Sequence, residues 1–193
     1  SSIDYLGNKK ALHYKLDEIY SPILLGLNDK GKDNYELWIS NDLQHDIDGR
    51  IRIIIEDMYG NQIFAFSEFV NVNANSCYRF PKDVAINVMG EDKSECYARI
   101  IFMEDDTILS ERLHFFTYPK DLQLVDTELN PNVVFKDGKY HLTFDSEVFV
   151  KDVYVTASEP GDFSDNFFCV AAETSNFAAS GLVITSIIEQ PVK

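Results

Sequence analysis

Carboxylates are the chemistry this sequence offers most freely. Glu56-Asp57, Glu91-Asp92 and Glu104-Asp105-Asp106 are adjacent acids, and Asp162 and Asp165 stand three positions apart. Two carboxyl groups cleave a glycosidic bond with retention when a concave site holds them roughly 5 Å apart, one as acid and base and the other as nucleophile. Each of these clusters falls where the surrounding pattern predicts a turn, and turn carboxylates are ordinarily solvated and bonded to nearby backbone. None of them is read as a catalytic residue.

The other reactive side chains are scattered. Asp46-Ile47-Asp48-Gly49 has the start of a calcium loop without its twelve-residue spacing or closing glutamate, and is read as a turn. His13, His45, His114 and His141 show no HxxxH or HExxH spacing. Cys77, Cys96 and Cys169 are odd in number with no CxxC pair, so they read as buried free thiols rather than ligands or disulfides. No GxSxG elbow, GxGxxG turn or phosphate loop occurs. The reading assigns no catalytic residue, no metal and no cofactor. Trp38 is the candidate sugar-binding residue: with Tyr35, Tyr59, Tyr78 and Tyr97 it would make an aromatic platform for pyranose rings. The competing reading makes Trp38 the packing tryptophan of a β-sandwich core.

The elements that would position these residues are mostly strands. Gly7 to Tyr20 is the single helix, with Asn8 as its cap, an apolar stripe of Ala11, Leu12, Leu16 and Ile19, and a stop at Ser21-Pro22. A lone amphipathic helix before an all-β chain has no helix to pack on, so its stripe is expected to rest on something outside the chain. From Pro22 the pattern has period two: Pro22 to Asn28, the stretch holding Tyr35, Leu37 and Ile39, Arg50 to Glu56, a Gly60-Asn61 turn into Gln62 to Phe69, then Asn75 to Phe80, Cys96 to Met103 and Ile108 to Phe116. Seven short strands with one apolar face each match an immunoglobulin-like sandwich. After Tyr118-Pro119-Lys120 a second series begins: Asp121 to Glu128, Val133 to Phe135, Tyr140 to Phe144 around the turn Asp137-Gly138, Glu147 to Thr156, a loop from Ser158 to Asn166, Phe167 to Val170, and Leu182 to Glu189. The boundary is placed near Pro119. The expected fold is therefore all-β: one N-terminal helix (residues 1–20) before two sandwiches (21–118 and 119–193).

Composition bounds the partners. With 45% hydrophobic and 13% aromatic residues over 193 positions, the chain is globular material. A net charge of −15 gives no basic surface for a phosphate backbone or an anionic leaflet, and no apolar run is long enough to span a bilayer. A soluble protein is expected. The start Ser1-Ser2-Ile3, without an initiator Met or an apolar leader, reads as a fragment.

Three stretches carry a resemblance. Ser2-Ile3-Asp4-Tyr5-Leu6-Gly7-Asn8-Lys9-Lys10-Ala11-Leu12-His13-Tyr14 is similar to the segment that closes the catalytic barrel of β-mannosidases of glycoside hydrolase family 2. Phe149-Val150-Lys151-Asp152-Val153-Tyr154-Val155 and Phe163-Ser164-Asp165-Asn166-Phe167-Phe168 resemble parts of that family's last immunoglobulin-like domain. The resemblance implies a parent that removes terminal non-reducing β-D-mannose with retention, using two glutamates on a (β/α)₈ barrel upstream of Ser1. It places no catalytic position here, and an exported parent, periplasmic or extracellular, is consistent with it. The implied partners are that barrel, another copy of the chain through Ala11, Leu12, Leu16 and Ile19, and carbohydrate. Where the family has an acidic residue and a Pro-Gly turn, this chain reads Cys169-Val170-Ala171-Ala172-Glu173, so an irregular hairpin is expected from Cys169 to Gly181. Two other readings are a carbohydrate-binding module for mannan-type sugars, gripping through Trp38 or the Asp162 to Asn166 loop, and a cell-surface adhesion module with calcium on its acidic turns.

Overall fold

The computed structural model describes residues 1–31, 34–80, 84–85, 92–157, 162–172 and 184–187, the backbone alone for 84–85 and 184–187. It is all-β and antiparallel, with one α-helix, α1 (Ala11–Ile19), as the sequence predicts. The helix starts later than expected because Asn8 does not cap it. Asp4 takes that residue instead: its Oδ1 accepts from the backbone of Leu6 and Asn8, its Oδ2 from the Asn8 side chain, and Gly7 turns at φ +92°. The first helical bond runs from His13 N–H to the Lys10 carbonyl. No described helix is long and apolar enough to cross a membrane.

Contacts divide the chain into two compact units, one of residues 17–57 and 61–123, the other of residues 1–16, 58–60 and 124–193. In the first, β1 (Ile23–Asp29), β2 (Asn34–Asn41) and β5 (Ser76–Arg79) form one sheet in the order β1-β2-β5, and β6 (Val84–Ala85) also pairs with β2. The second sheet runs β4-β3-β7-β8, built from β3 (Ile47–Asp57), β4 (Gln62–Val72), β7 (Cys96–Glu104) and β8 (Thr107–Phe115). The period-two pattern explains this: Leu25, Leu37 and Ile39 from the first sheet meet Ile51, Ile53, Ile55, Ala98, Ile100 and Phe102 from the second in one buried core. Strands β3 and β4 are longer than predicted. The Asp46-to-Gly49 stretch, read as a turn, instead leads into β3: the Asp46 carboxylate caps the Ala74 N–H and Asp48 accepts from the Asn71 amide.

In the other unit, β9 (Pro131–Lys136) and β10 (Lys139–Phe144) form a hairpin through Asp137 and Gly138, both at positive φ as the Asp-Gly pair predicts. They continue a sheet ordered β12-β14-β10-β9, with β12 (Asp162–Phe163) and β14 (Ile184–Ile187); β11 (Val150–Val153) pairs with β13 (Phe168–Val170). Its core gathers Leu142, Phe144, Phe168 and Val170. The strand expected at Asp121 to Glu128 is not formed. A 3-10 turn covers Pro119–Asp121, and the next backbone bond, Gln123 N–H to the Ser94 carbonyl, goes to a loop rather than a strand partner. The irregular stretch expected up to Gly181 lies outside the described residues from Glu173 onward, as do Glu91 and the 158–161 part of the predicted loop.

Candidate functional site

Register on β2 decides where Trp38 stands. Tyr35, Leu37 and Ile39 point into the core, so Glu36, Trp38 and Ser40 point outward. Trp38 is thus not the packing tryptophan of the sandwich, nor part of the five-residue platform: Tyr35 and Tyr97 are buried, Tyr78 lies edge-on to Phe80 against the core, and Tyr59 stands in the β3–β4 turn. Across the sheet, Trp38 has Gly26 opposite it on β1 and Arg79 on β5. A Cβ on Gly26 would lie 2.4 Å from the Trp38 ring, so only glycine lets the indole rest on the β1 backbone. An aromatic ring laid over a cross-strand glycine also stabilises the sheet.

Polar groups surround the ring. Trp38 Nε1 donates to Asn28 Oδ1 at 3.3 Å, and Asn28 Nδ2 donates to Glu36 Oε2 at 2.9 Å. The same Glu36 carboxylate accepts from Arg79 Nη1 at 2.6 Å and faces Lys30 Nζ at 3.3 Å. The Asn28 bond, followed by the lysine, holds its carboxyl below the ordinary range. Asn28, Glu36, Arg79 and Trp38 therefore form one connected, outward-facing group fixed by two strand pairings.

Among the described residues the acid clusters show no hydrolytic pair. Glu56, expected in a solvated turn, is 1% exposed near the end of β3. It accepts from Tyr97 Oη at 3.0 Å and lies 3.9 Å from Arg99, while Arg99 donates through Nε and Nη2 to Glu111 at 3.0 and 2.9 Å. Burial raises the Glu56 carboxyl above its usual range, more than Arg99 and Tyr97 lower it. Such a shift is what a catalytic acid needs, but a carboxyl sealed from solvent reaches no substrate. The signal missed in the sequence was alternation: Glu56 continues Ile54 on the outward face of β3, and Tyr97, Arg99 and Ile101 share that face of β7 and are buried with it. Asp105, Asp106 and Asp162 are exposed, as expected of their positions.

Among the described residues no three acids, histidines or cysteines gather to hold a metal ion. His114 packs in a triad of edge-on rings with Tyr35 and Phe116, at 5.7 and 5.3 Å, those two lying 5.6 Å from each other. Cys96 is buried as read, Cys169 is partly buried with its thiol pushed up by burial, and Cys77, against expectation, is exposed on the outer side of β5. In the loop around Asp162 to Asn166, Asn166 is the buried anchor. Its Oδ1 accepts from Val155 N–H (2.8 Å) and Phe167 N–H (3.0 Å), and its Nδ2 donates to the Val155 carbonyl at 2.8 Å. These bonds hold Phe167 at φ +59° and stack its ring on Tyr154, centroids 4.7 Å apart.

Residues 33–121 match the mannosidase Ig/CBM-like domain family. The matched stretch takes in β2 through β8, among them β2, β5 and β6 of the Trp38 sheet, and it bears out the resemblance to the C-terminal region of family 2 β-mannosidases. The fold extends the likeness along the chain. It is shared with a β-D-mannosidase from Dictyoglomus thermophilum at TM-score 0.78 and 17% identity, over 98% of this chain and 22% of that one. An exo-chitosanase from Amycolatopsis orientalis aligns at TM-score 0.63 and 11% identity, over 96% of this chain and 26% of that one. The chain spans about a quarter or less of these glycosidases, and at such identities the likeness is of fold. No curated protein sequence matches it.

Proposed function

We propose that this chain is the non-catalytic C-terminal accessory region of a family 2 β-mannosidase, whose barrel removes terminal non-reducing β-D-mannose with retention. In this reading residues 1–20 are the barrel's closing segment, and residues 21–118 and 119–193 are two sandwiches that brace it. The observation that carries the reading is the apolar surface of the N-terminal segment. No residue of α1 is buried, Leu12 and Ile19 of the predicted stripe are 50% and 41% exposed, and Tyr5, Leu6 and Tyr20 beside them are 94%, 70% and 79% exposed. Apolar surface is worth about 25 cal/mol per Å² when covered, so a stripe of this kind yields several kcal/mol to whatever seats it. A barrel supplied by the same polypeptide does so without the entropy of bringing two molecules together.

The test compares hydrolysis of a chromogenic β-mannoside by this chain and by a longer one extended upstream through the barrel. Activity confined to the longer chain supports the accessory role. Turnover by residues 1–193 alone overturns it. A second reading of the same stripe is a homodimer of the isolated chain through Ala11, Leu12, Leu16 and Ile19. Sedimentation would then show a dimer that L12E together with I19E dissolves, and a monomer at all concentrations removes it.

A further inference from the structure

The outer face of the β1-β2-β5 sheet carries a connected group of one indole, an amide, a carboxylate and two cations. We propose that Trp38, with Asn28, Glu36 and Arg79, forms a binding platform for a neutral oligosaccharide of mannan type. That sugar class rests on the β-mannosidase reading above; the platform itself rests on geometry.

A pyranose ring presents one face of C–H groups and a rim of hydroxyls, so its receptor needs an aromatic face flanked by planar hydrogen-bonding groups held in place. The face of an indole ring carries partial negative charge, which attracts polarised C–H groups. Trp38 meets the first need. One side of its indole rests where a Gly26 Cβ would be, and the residue stands half-buried on the outward side of β2.

The rim meets the second. Glu36, with its side chain 18% exposed, is fixed by Asn28, Arg79 and Lys30. Arg79 and Lys30 leave 58% and 46% of their side chains in water, so a guanidinium edge and an ammonium remain open to sugar hydroxyls next to the ring. Each of the four groups is held by a partner before any ligand arrives, and prior ordering of this kind lowers the cost of binding.

The chemistry also argues against other occupants. A stacked nucleic-acid base would bring phosphates to a chain of net charge −15. A protein partner of ordinary strength would want an apolar centre, whereas this face places one indole among two cations, a carboxylate and an amide.

Trp38 is the protein's one tryptophan, so its emission reads this site and no other. The full chain is titrated with mannotetraose, cellotetraose and chitotetraose into the millimolar range, following tryptophan fluorescence and, in parallel, the heat of binding. Expected is a saturable change with mannotetraose that exceeds the change with the other two. R79A and N28A should each weaken it by about fivefold, and W38A should weaken the calorimetric signal by at least about tenfold. W38F keeps an aromatic ring over Gly26 and serves as the variant that must fold. It should melt close to the parent chain yet lose the Nε1 bond and part of the affinity. A response to cellotetraose or chitotetraose alone overturns the mannan assignment. No fluorescence change and no heat with any of the three, from a chain that melts normally, overturns the platform. Hydrolysis of a chromogenic β-mannoside by the extended chain is read separately, so the accessory reading can stand while the platform falls.

Discussion

The two compact units solve burial differently. Among the described residues the sandwich of residues 17–57 and 61–123 packs seventeen buried side chains into one cluster, and β7 is buried on both faces from Cys96 to Phe102. The other unit gathers four, and its hairpin strand β9 leaves Val133, Val134 and Phe135 each more than half exposed. Hydrophobic stabilisation follows buried apolar area. Among the described residues the first unit therefore holds the larger apolar core, and the other adds to its smaller one a positive-φ turn at Asp137-Gly138, the Asn166 anchor and the Tyr154–Phe167 stack.

The largest expected effect tests that contrast directly. Phe102, wholly buried among the isoleucines of β3, should cost about 3–5 kcal/mol in F102A, because so tight a core cannot close over the void. F144A, in the smaller cluster, should cost less, since more of its surroundings can relax. Chemical denaturation of both variants measures this, and equal losses would break the comparison.

Next comes the buried ion cluster of the larger unit. R99A removes the cation beside Glu56 and Glu111 and should cost about 3 kcal/mol, most of it from leaving Glu56 charged and sealed from water. Burial already raises the Glu56 carboxyl, so the folded chain takes up that proton at a higher pH than the unfolded one, and lowering pH relieves the penalty. The R99A deficit should therefore shrink between about pH 7.5 and about pH 5. A deficit that grows instead would show that Arg99 acts through packing rather than through charge.

A third pair sets like against like. Asn41 and Asn166 are both buried amides that tie down backbone: Asn41 donates to the carbonyls of His45, Val72 and Asn73 and accepts from Leu43 N–H. N41A and N166A should each cost about 1–3 kcal/mol, the price of stranding buried backbone groups. The second has a further readout. Without Asn166 the Val155 N–H loses its side-chain acceptor, while the Phe167 N–H keeps the Val153 carbonyl at 2.9 Å, so hydrogen exchange should accelerate at Val155 more than at Phe167, and in N166A alone.

How far the sequence spoke follows the same division. In the larger unit alternation placed the core faces of β2 and β3, and the Gly60-Asn61 and Glu104-to-Thr107 turns fell where turn chemistry put them. Glu56 escaped because a carboxylate at a strand's end reads as a turn unless the buried partner, Tyr97 on a strand forty residues away, is known. Trp38 was singled out by type, but its outward side was legible only through parity with Tyr35 and Ile39, and its seat on Gly26 only through strand register. The stretch from Asp121 to Glu128 alternates like a strand yet finds no ladder, since alternation records which side is apolar and not whether a neighbour exists.

The smallest effect asks whether the larger unit's core tolerates a titrating group. His114 sits on β8 with its ring edge-on to Tyr35 and Phe116, and burial lowers its pKa; Asp29 opposes that shift and Arg112 adds to it. The folded chain therefore favours the neutral imidazole. The sign follows from linkage: with the folded pKa below the unfolded value of about 6.5, the contribution is present above that value and is lost as pH falls through the folded one. Replacing His114 by Phe removes the titration while keeping a ring in the triad with Tyr35 and Phe116. H114F should then match the parent chain near about pH 7.5 and hold its melting temperature better as pH drops below about 6.5. A parent and variant that lose stability in parallel would place the acid sensitivity on the carboxylates, with Glu36 the first to examine. Its pKa is lowered by Asn28, so the stability it gives is lost as pH falls through its folded value. The two losses can be told apart by where they begin: the His114 loss as pH falls below the unfolded imidazole value of about 6.5, the Glu36 loss only as it falls below the unfolded carboxylate value of about 4.3.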